Sequence, residues 1–248
     1  MDKNTMSSEA FSKMQFTSLG LKGKWLSLIG DPSERWNMMV WSKPGKGKST
    51  LMIEFAKYLA YEFGKKVLYV AKEEGFGATL KDKFVRMAAI DPLITIASEM
   101  PASLGGYNYV VIDSVTSLKL NTDDLTVLTK KYPTINFIFI FQATVDGNYR
   151  GDKEAEHLVD VSIVINEQGM ATCQKTRFGG KGTVSVFDTR NQIEPGVFKF
   201  TGIEQASAFI SKPENSGMRI VFGQNDREVI VCSSKKALEY RSKGYDIM

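Results

Sequence analysis

SKPGKGKST, residues 42–50, is the stretch on which the reading of this chain turns. An apolar run, WNMMVW at 36–41, leads into it, and a helical pattern, TLMIEFAKYLAYEF, leads out of it to Gly64. The pattern G-x-x-x-x-G-K-[ST] describes a loop of small residues whose backbone N–H groups converge on phosphate oxygens. Gly47, Lys48 and Ser49 fit it, while Ser42 stands where the first glycine is expected. In such a loop the lysine reaches the outer phosphates, the hydroxyl serves Mg²⁺, and the helix N-terminus faces the anion. Pro44, Gly45, Lys46, Gly47, Lys48, Ser49 and Thr50 are therefore the candidate nucleotide-binding set.

The surroundings of the loop predict an α/β fold. Short apolar runs at 67–71, 109–112 and 136–141 alternate with helical patterns near 78–89 and 122–131. That alternation predicts parallel βαβ units and a mostly parallel central sheet flanked by helices. After residue 160 the pattern becomes short strands at about 161–166, 170–175 and 183–187, a meander finishing the sheet edge. The tail predicts a hairpin around Gln224–Arg227 and a helix from Ser234, with SKPENSG at 211–217 as a linker. LIGDPS at 28–33 is read as an extra β-turn. The expected organisation is an arm over 1–20, a core over 21–200 and a C-terminal extension over 201–248.

Polar residues close three of the buried runs. YVVIDS puts Asp113 at a strand end, where a carboxylate can serve the hydration shell of Mg²⁺. VLYVAKEEG puts Glu73 and Glu74 after another strand, and FIFIFQ ends in Gln142. In a parallel sheet the carboxyl ends of the strands open at one edge, so a glutamate there can orient an attacking water.

Composition excludes several classes. With 43% hydrophobic and 24% charged residues over 248 positions, the chain is an ordinary globular one. No apolar run approaches the roughly 18 residues needed to span a bilayer, and the N-terminus has no signal-peptide h-region. The expected address is cytoplasmic, with no membrane partner. Two cysteines cannot form a four-thiolate zinc site, and no His/Cys/Asp cluster has metal-ligand spacing. The net charge of +4 is too small to argue for nucleic acid alone, although the whole surplus falls after residue 174.

GKGKSTLMIEFAKYLA, KKVLYVAKEEG, YVVIDS, FQATVDG and QKTRFGG occur in an order similar to that of the RecA superfamily of ATPases. The chain most resembles the core of the bacterial RadA (Sms) proteins, over roughly residues 20–200. KTRFGG is similar to the family's Lys-Asn-Arg-Phe-Gly motif, with Thr176 in place of Asn. The resemblance implies ATP as nucleotide and Mg²⁺ as cofactor, held by Lys48, Ser49 and Asp113. It implies Glu73 as catalytic glutamate and Gln142 as γ-phosphate sensor. Lys175 and Arg177 match basic residues that act on a neighbouring protomer's ATP or on DNA. The segment 143–153, with Tyr149, Arg150 and Lys153, takes the place of a DNA-contacting loop.

The family's four-cysteine zinc motif and protease-like domain are missing from this sequence, which resembles the short phage RadA-like recombinases. The resemblance implies single-stranded DNA as partner, a homo-oligomer (hexameric ring or filament), and a replication or recombination protein as a further partner. The rival readings are a nucleotide-switched adaptor or loader with little hydrolysis, and a small-molecule kinase, for which no arginine-rich lid is visible.

Overall fold

The computed structural model describes residues 5–33, 35–143, 153–187, 197–200, 202–211, 215, 217–222, 229–242 and 244–248. The elements run α1 (Ser8–Ser12), α2 (Gly23–Ile29), β1 (Met38–Ser42), α3 (Lys48–Phe63), β2 (Val67–Ala71), α4 (Ala78–Arg86) and β3 (Ile94–Ala97). There follow β4 (Tyr109–Asp113), α5 (Thr122–Lys131), β5 (Asn136–Gln142), a 3₁₀ turn (Lys153–Glu156), β6 (Val161–Ile165), β7 (Met170–Thr176) and β8 (Thr183–Ser185). The last are β9 (Val197–Phe200), α6 (Ile203–Ile210), β10 (Met218–Phe222), β11 (Val229–Ser233), α7 (Ser234–Arg241) and β12 (Asp246–Ile247).

Eight strands form one sheet in the order β3-β2-β4-β5-β1-β6-β7-β8. β3 to β6 are parallel across the sheet, and β7 and β8 are added antiparallel. The fold is thus α/β with a mostly parallel sheet flanked by helices, as the alternating pattern predicts. The central strands carry near-continuous apolar sequence because both their faces are covered. Period-2 alternation divides those side chains between two layers. Met38, Val40, Tyr69, Val111 and Ile138 pack with Leu51 and Phe55 of α3 on one face. Met39, Leu68, Val110, Phe137 and Phe139 pack with Leu125 of α5 on the other.

Local chemistry sets the helix ends near the site. α3 starts after Gly47 and stops at Gly64, both left-handed at φ 94° and 58°, a conformation that suits glycine. α5 opens with a reciprocal capping box between Asn121 and Asp124, and closes with Lys130 and Lys131, matching the helix dipole at both ends.

Two expectations need correction, and one strand goes unread in the sequence. LIGDPS is not an added β-turn: Leu28 and Ile29 end α2, Gly30 caps it and bridges by its backbone to Gly179, and Ser33 bridges to Ser18. A Cβ on Gly30 would lie 2.0 Å from the Phe178 carbonyl oxygen, and one on Gly180 would lie 2.0 Å from the Gly30 nitrogen. The Gly-Gly of KTRFGG is thus a backbone-to-backbone contact. The stretch 90–100 holds an edge strand, β3, that the sequence pattern misses because it is short and only half-buried. SKPENSG does not separate a core from a tail. Its residues 212–214 and 216 lie outside the described residues, and the elements on either side, α6 and β10, both belong with a second sheet, four-stranded, of order β12-β10-β11-β9. The expected hairpin strands and helix are there as antiparallel β10 and β11 and as α7, the turn Gln224–Arg227 lies outside the described residues, and β9 joins them from before residue 201. Phe200, Ala206, Ile220 and Val231 form part of the core of that sheet.

Candidate nucleotide site

The parallel register brings the predicted polar residues together. Ser42 at the end of β1 pairs with Gln142 at the end of β5, and Asp113 at the end of β4 pairs with Ala71 at the end of β2. The loop after β1, the Glu73–Glu74 segment after β2, Asp113 and Gln142 therefore surround one cavity of about 130 Å³. Pro44, Gly45, Lys48 and Ser49 form its loop wall. Gly45 and Gly47 both have positive φ, 74° and 94°, the backbone turn that lets successive N–H groups face one anion.

Lys48 is buried, and its ammonium donates to the carbonyls of Ser42 and Lys43, each at 3.1 Å, and to the Ser42 hydroxyl at 3.2 Å. Burial lowers its pKa, opposed by the charges of Asp113 and Glu73. Lys46 turns outward instead: with Lys43 it pairs with Glu167 on the β6–β7 turn, at 2.6 and 3.0 Å. Those two cations draw the Glu167 carboxyl below its ordinary range. Thr50 is half-buried in the first turn of α3.

Asp113 is buried and accepts a hydrogen bond from the hydroxyl of Tyr69, on the neighbouring strand, at 2.7 Å. Burial pushes its pKa up, and hydrogen bonds from Tyr69 and Ser49 oppose the shift. The hydroxyl of Ser49 and the carboxylate of Asp113 thus meet at the foot of the phosphate loop. This pairing fits Mg²⁺, which takes one or two protein oxygens and keeps waters and phosphate oxygens for the rest.

The two glutamates divide. Glu74 is held by Lys83 of α4 at 2.5 Å. The carboxylate of Glu73 accepts from the Gln142 amide at 3.0 Å and from the Ser117 hydroxyl at 3.4 Å. Ser117 in turn shares a hydrogen bond of 2.9 Å with Ser114, next to Asp113.

Lys175 and Arg177 do not join this cavity. Lys175 donates to the Glu156 carbonyl at 2.5 Å, and Arg177 pairs with Asp160 at 3.3 Å with its side chain 65% exposed. Thr176 pairs with Val161, and Val161 with Met38. Arg177 therefore leaves the sheet at the opposite, amino edge, just past Thr176, which lies about 13 Å along the strands from Ser42 at about 3.3 Å per residue. Tyr149 and Arg150 lie outside the described residues, and Lys153 opens the 3₁₀ turn that follows them.

Sequence reasoning passes over Tyr69, Ser117 and Phe187. The ring of Phe187, half-exposed after β8, packs so closely on the phosphate loop that a Cβ on Gly47 would lie 2.8 Å from it. No motif marks this contact, because antiparallel β8 returns to the loop from far along the chain. Tyr69 reads in sequence as one more buried strand residue.

A family profile described as an AAA domain matches residues 34–133. The DNA repair protein RadA of Campylobacter jejuni is 31% identical over 180 residues, 61% of this chain and 39% of that protein. The Aquifex aeolicus DNA repair protein RadA is 26% identical over 251 residues, 84% of this chain and 53% of that protein. The chain thus spans about half the length, or less, of these curated relatives. A KaiC-like protein of Pyrococcus horikoshii superimposes with a TM-score of 0.49 at 18% identity, covering 66% of this chain and 89% of that one. With the phosphate loop, the Asp113 strand end and KTRFGG in place on this sheet, the chain resembles the RecA-superfamily P-loop proteins, and its core that of bacterial RadA.

Proposed function

We propose that this chain is an ATPase of the RecA/RadA type that couples ATP hydrolysis to single-stranded DNA within a homo-oligomer, in DNA repair, recombination or replication. The observation that carries the reading is the convergence of Lys48, Ser49, Asp113 and the Glu73–Gln142 pair at one sheet edge. Relatives named as DNA repair proteins support the process.

The phosphate loop, through its backbone N–H groups, Lys48 and the N-terminus of α3, holds the triphosphate. Ser49 and Asp113 hold Mg²⁺, which when bound supplies charge neutralisation at the β- and γ-phosphates. Glu73 orients the attacking water and accepts its proton. Phe187 offers a ring face to the base. A γ-phosphate within reach of the Gln142 amide competes with Glu73 for its N–H. Hydrolysis then changes the partner of the residue that precedes 143–153, the segment with Tyr149, Arg150 and Lys153 that is proposed to meet DNA.

Lys175 and Arg177 are proposed to complete the ATP site of a neighbouring protomer, ring or filament alike, and their position at the far sheet edge suits that role. The arm supports an oligomer too. Met6, Phe11, Met14 and Phe16 are 46–65% exposed, and α1 buries no residue; such a run of bare apolar side chains marks an interaction surface. The proposed compartment is the cytoplasm; among the described residues no helix is long and apolar enough to cross a membrane.

The experiment is ATP hydrolysis by the purified chain with and without single-stranded DNA, beside Lys48→Ala. Stimulation by DNA that Lys48→Ala abolishes supports the reading. Turnover indifferent to DNA moves the function to a protein-partner switch in replication or recombination, and turnover equal to that of Lys48→Ala overturns the ATPase.

A further inference from the structure

Ser42, the residue that departs from the phosphate-loop pattern, is the last residue of β1 and is 1% exposed. Its hydroxyl donates to the Lys43 carbonyl at 2.8 Å, which leaves its oxygen lone pairs for the Lys48 ammonium at 3.2 Å. An ammonium has three N–H bonds to place. The carbonyls of Ser42 and Lys43 take two of them, each at 3.1 Å, and the Ser42 hydroxyl takes the third. A glycine at position 42 would keep both carbonyls and lose the third acceptor.

We propose that Ser42 is a latch on Lys48: its hydroxyl holds, in the nucleotide-free chain, the N–H bond that a nucleotide phosphate must take over, and so it sets nucleotide affinity. The inference rests on the nucleotide site described above. On binding, the third N–H passes from the Ser42 oxygen to a phosphate oxygen, while both carbonyls keep their partners. The free chain therefore holds a charge-assisted hydrogen bond that the complex has exchanged. Ser42 is buried while Lys48 also lines the cavity, so the exchange is between the hydroxyl at the strand end and the oxygen that enters the cavity. The consequence is weaker binding than a bare glycine loop would give, and a lysine that is recaptured whenever product leaves. Ser42 is a positioning residue; it acts through Lys48.

The test is titration of a fluorescent ADP analogue into the wild-type chain, Ser42→Ala, Ser42→Gly and Ser42→Thr, with Mg²⁺ present. Ser42→Ala and Ser42→Gly are expected to bind about three- to tenfold more tightly, the loss of one such hydrogen bond from the free state alone. Ser42→Thr, which keeps the hydroxyl, is expected to stay near wild type. A merely structural serine predicts loss on truncation, so the gain is what separates the two roles. Unchanged or weaker binding by Ser42→Ala, folded by circular dichroism, overturns the latch; if Ser42→Gly loosens the strand end, Ser42→Ala, which keeps the Cβ, decides. Lys48→Ala in the same titration isolates the underlying reading: binding that survives it overturns the nucleotide site, whatever Ser42 does.

Discussion

The side-chain amide of Gln142 donates to the carboxylate of Glu73 across 3.0 Å, and so ties the ends of two strands, β5 and β2, that β4 keeps apart in the sheet. One residue beyond Gln142 begins the segment proposed to meet DNA. The contact thus joins the strand end that leads into that segment to the group proposed to orient water. Glu73→Gln is expected to lower turnover by about 10²–10⁴ with ATP binding retained, the range for losing a general base. Gln142→Ala is expected to keep hydrolysis without DNA within about tenfold of wild type and to lose the stimulation. Steady-state ATPase assays with titrated single-stranded DNA check both; stimulation intact in Gln142→Ala refutes the coupling.

Tyr69 is fully buried, and burial holds its phenol well above the ordinary range, so it stays a neutral donor to Asp113. Tyr69→Phe removes that donor and leaves a buried carboxylate short of a partner. A loss of about 1.5–3 kcal/mol in unfolding free energy is expected, together with an altered Mg²⁺ requirement. Urea denaturation and Mg²⁺ titration of activity measure the two effects.

Gly30 and Gly64 both have positive φ, 81° and 58°, yet only Gly30 has backbone where a Cβ would go. Gly64→Ala is expected to cost about 1 kcal/mol from conformation alone. Gly30→Ala must also move the Phe178 carbonyl and is expected to cost more than about 3 kcal/mol. Equal thermal stability of the two variants would contradict the close approach.

Cys173 is buried, and burial raises its thiol pKa from 9.0 to about 11. At pH 8 its thiolate is about two to three orders of magnitude scarcer than that of a free thiol, so a thiol reagent is expected to leave it unlabelled until the chain unfolds. The linkage has a definite sign. Between 9.0 and about 11 the unfolded chain releases a proton that the folded chain keeps, so this contribution is whole below 9.0 and fades as pH rises through about 11. Cys173→Ala is expected to flatten that alkaline decline in stability.

Arg177→Ala is expected to keep ATP binding and lose most turnover, about 10³–10⁵ for a cation that stabilises phosphoryl-transfer charge. Unchanged turnover in an Arg177→Ala protein that still assembles would remove the residue from the site.

The legible part of the molecule was the part written in local pattern. Lys48, Ser49, Asp113 and Gln142 each sit at the end of an apolar run or the start of a helix, and a parallel sheet must gather such ends at one edge. What sequence left unread depends on register and on chain reversal. Tyr69 meets Asp113 through strand pairing; Phe187 reaches Gly47 because β8 runs back towards the loop; Gly30 and Gly180 are legible as glycines but not as neighbours. β3 is too short and too half-buried for periodicity to mark, and β9 joins the second sheet from outside the tail because pairing ignores sequence proximity.

The placement of Lys48 and Arg177 at opposite edges of one sheet has a genetic consequence. If each ATP is served by a phosphate loop from one copy and an arginine from the next, neither defect is confined to the copy that carries it. Two inactive proteins, Lys48→Ala and Arg177→Ala, should then complement when mixed and reassembled, because about a quarter of random head-to-tail junctions pair an intact loop with an intact arginine. The same arithmetic leaves about half of the junctions active when either variant is mixed equally with the wild type, and a site shared between copies makes specific activity fall on dilution.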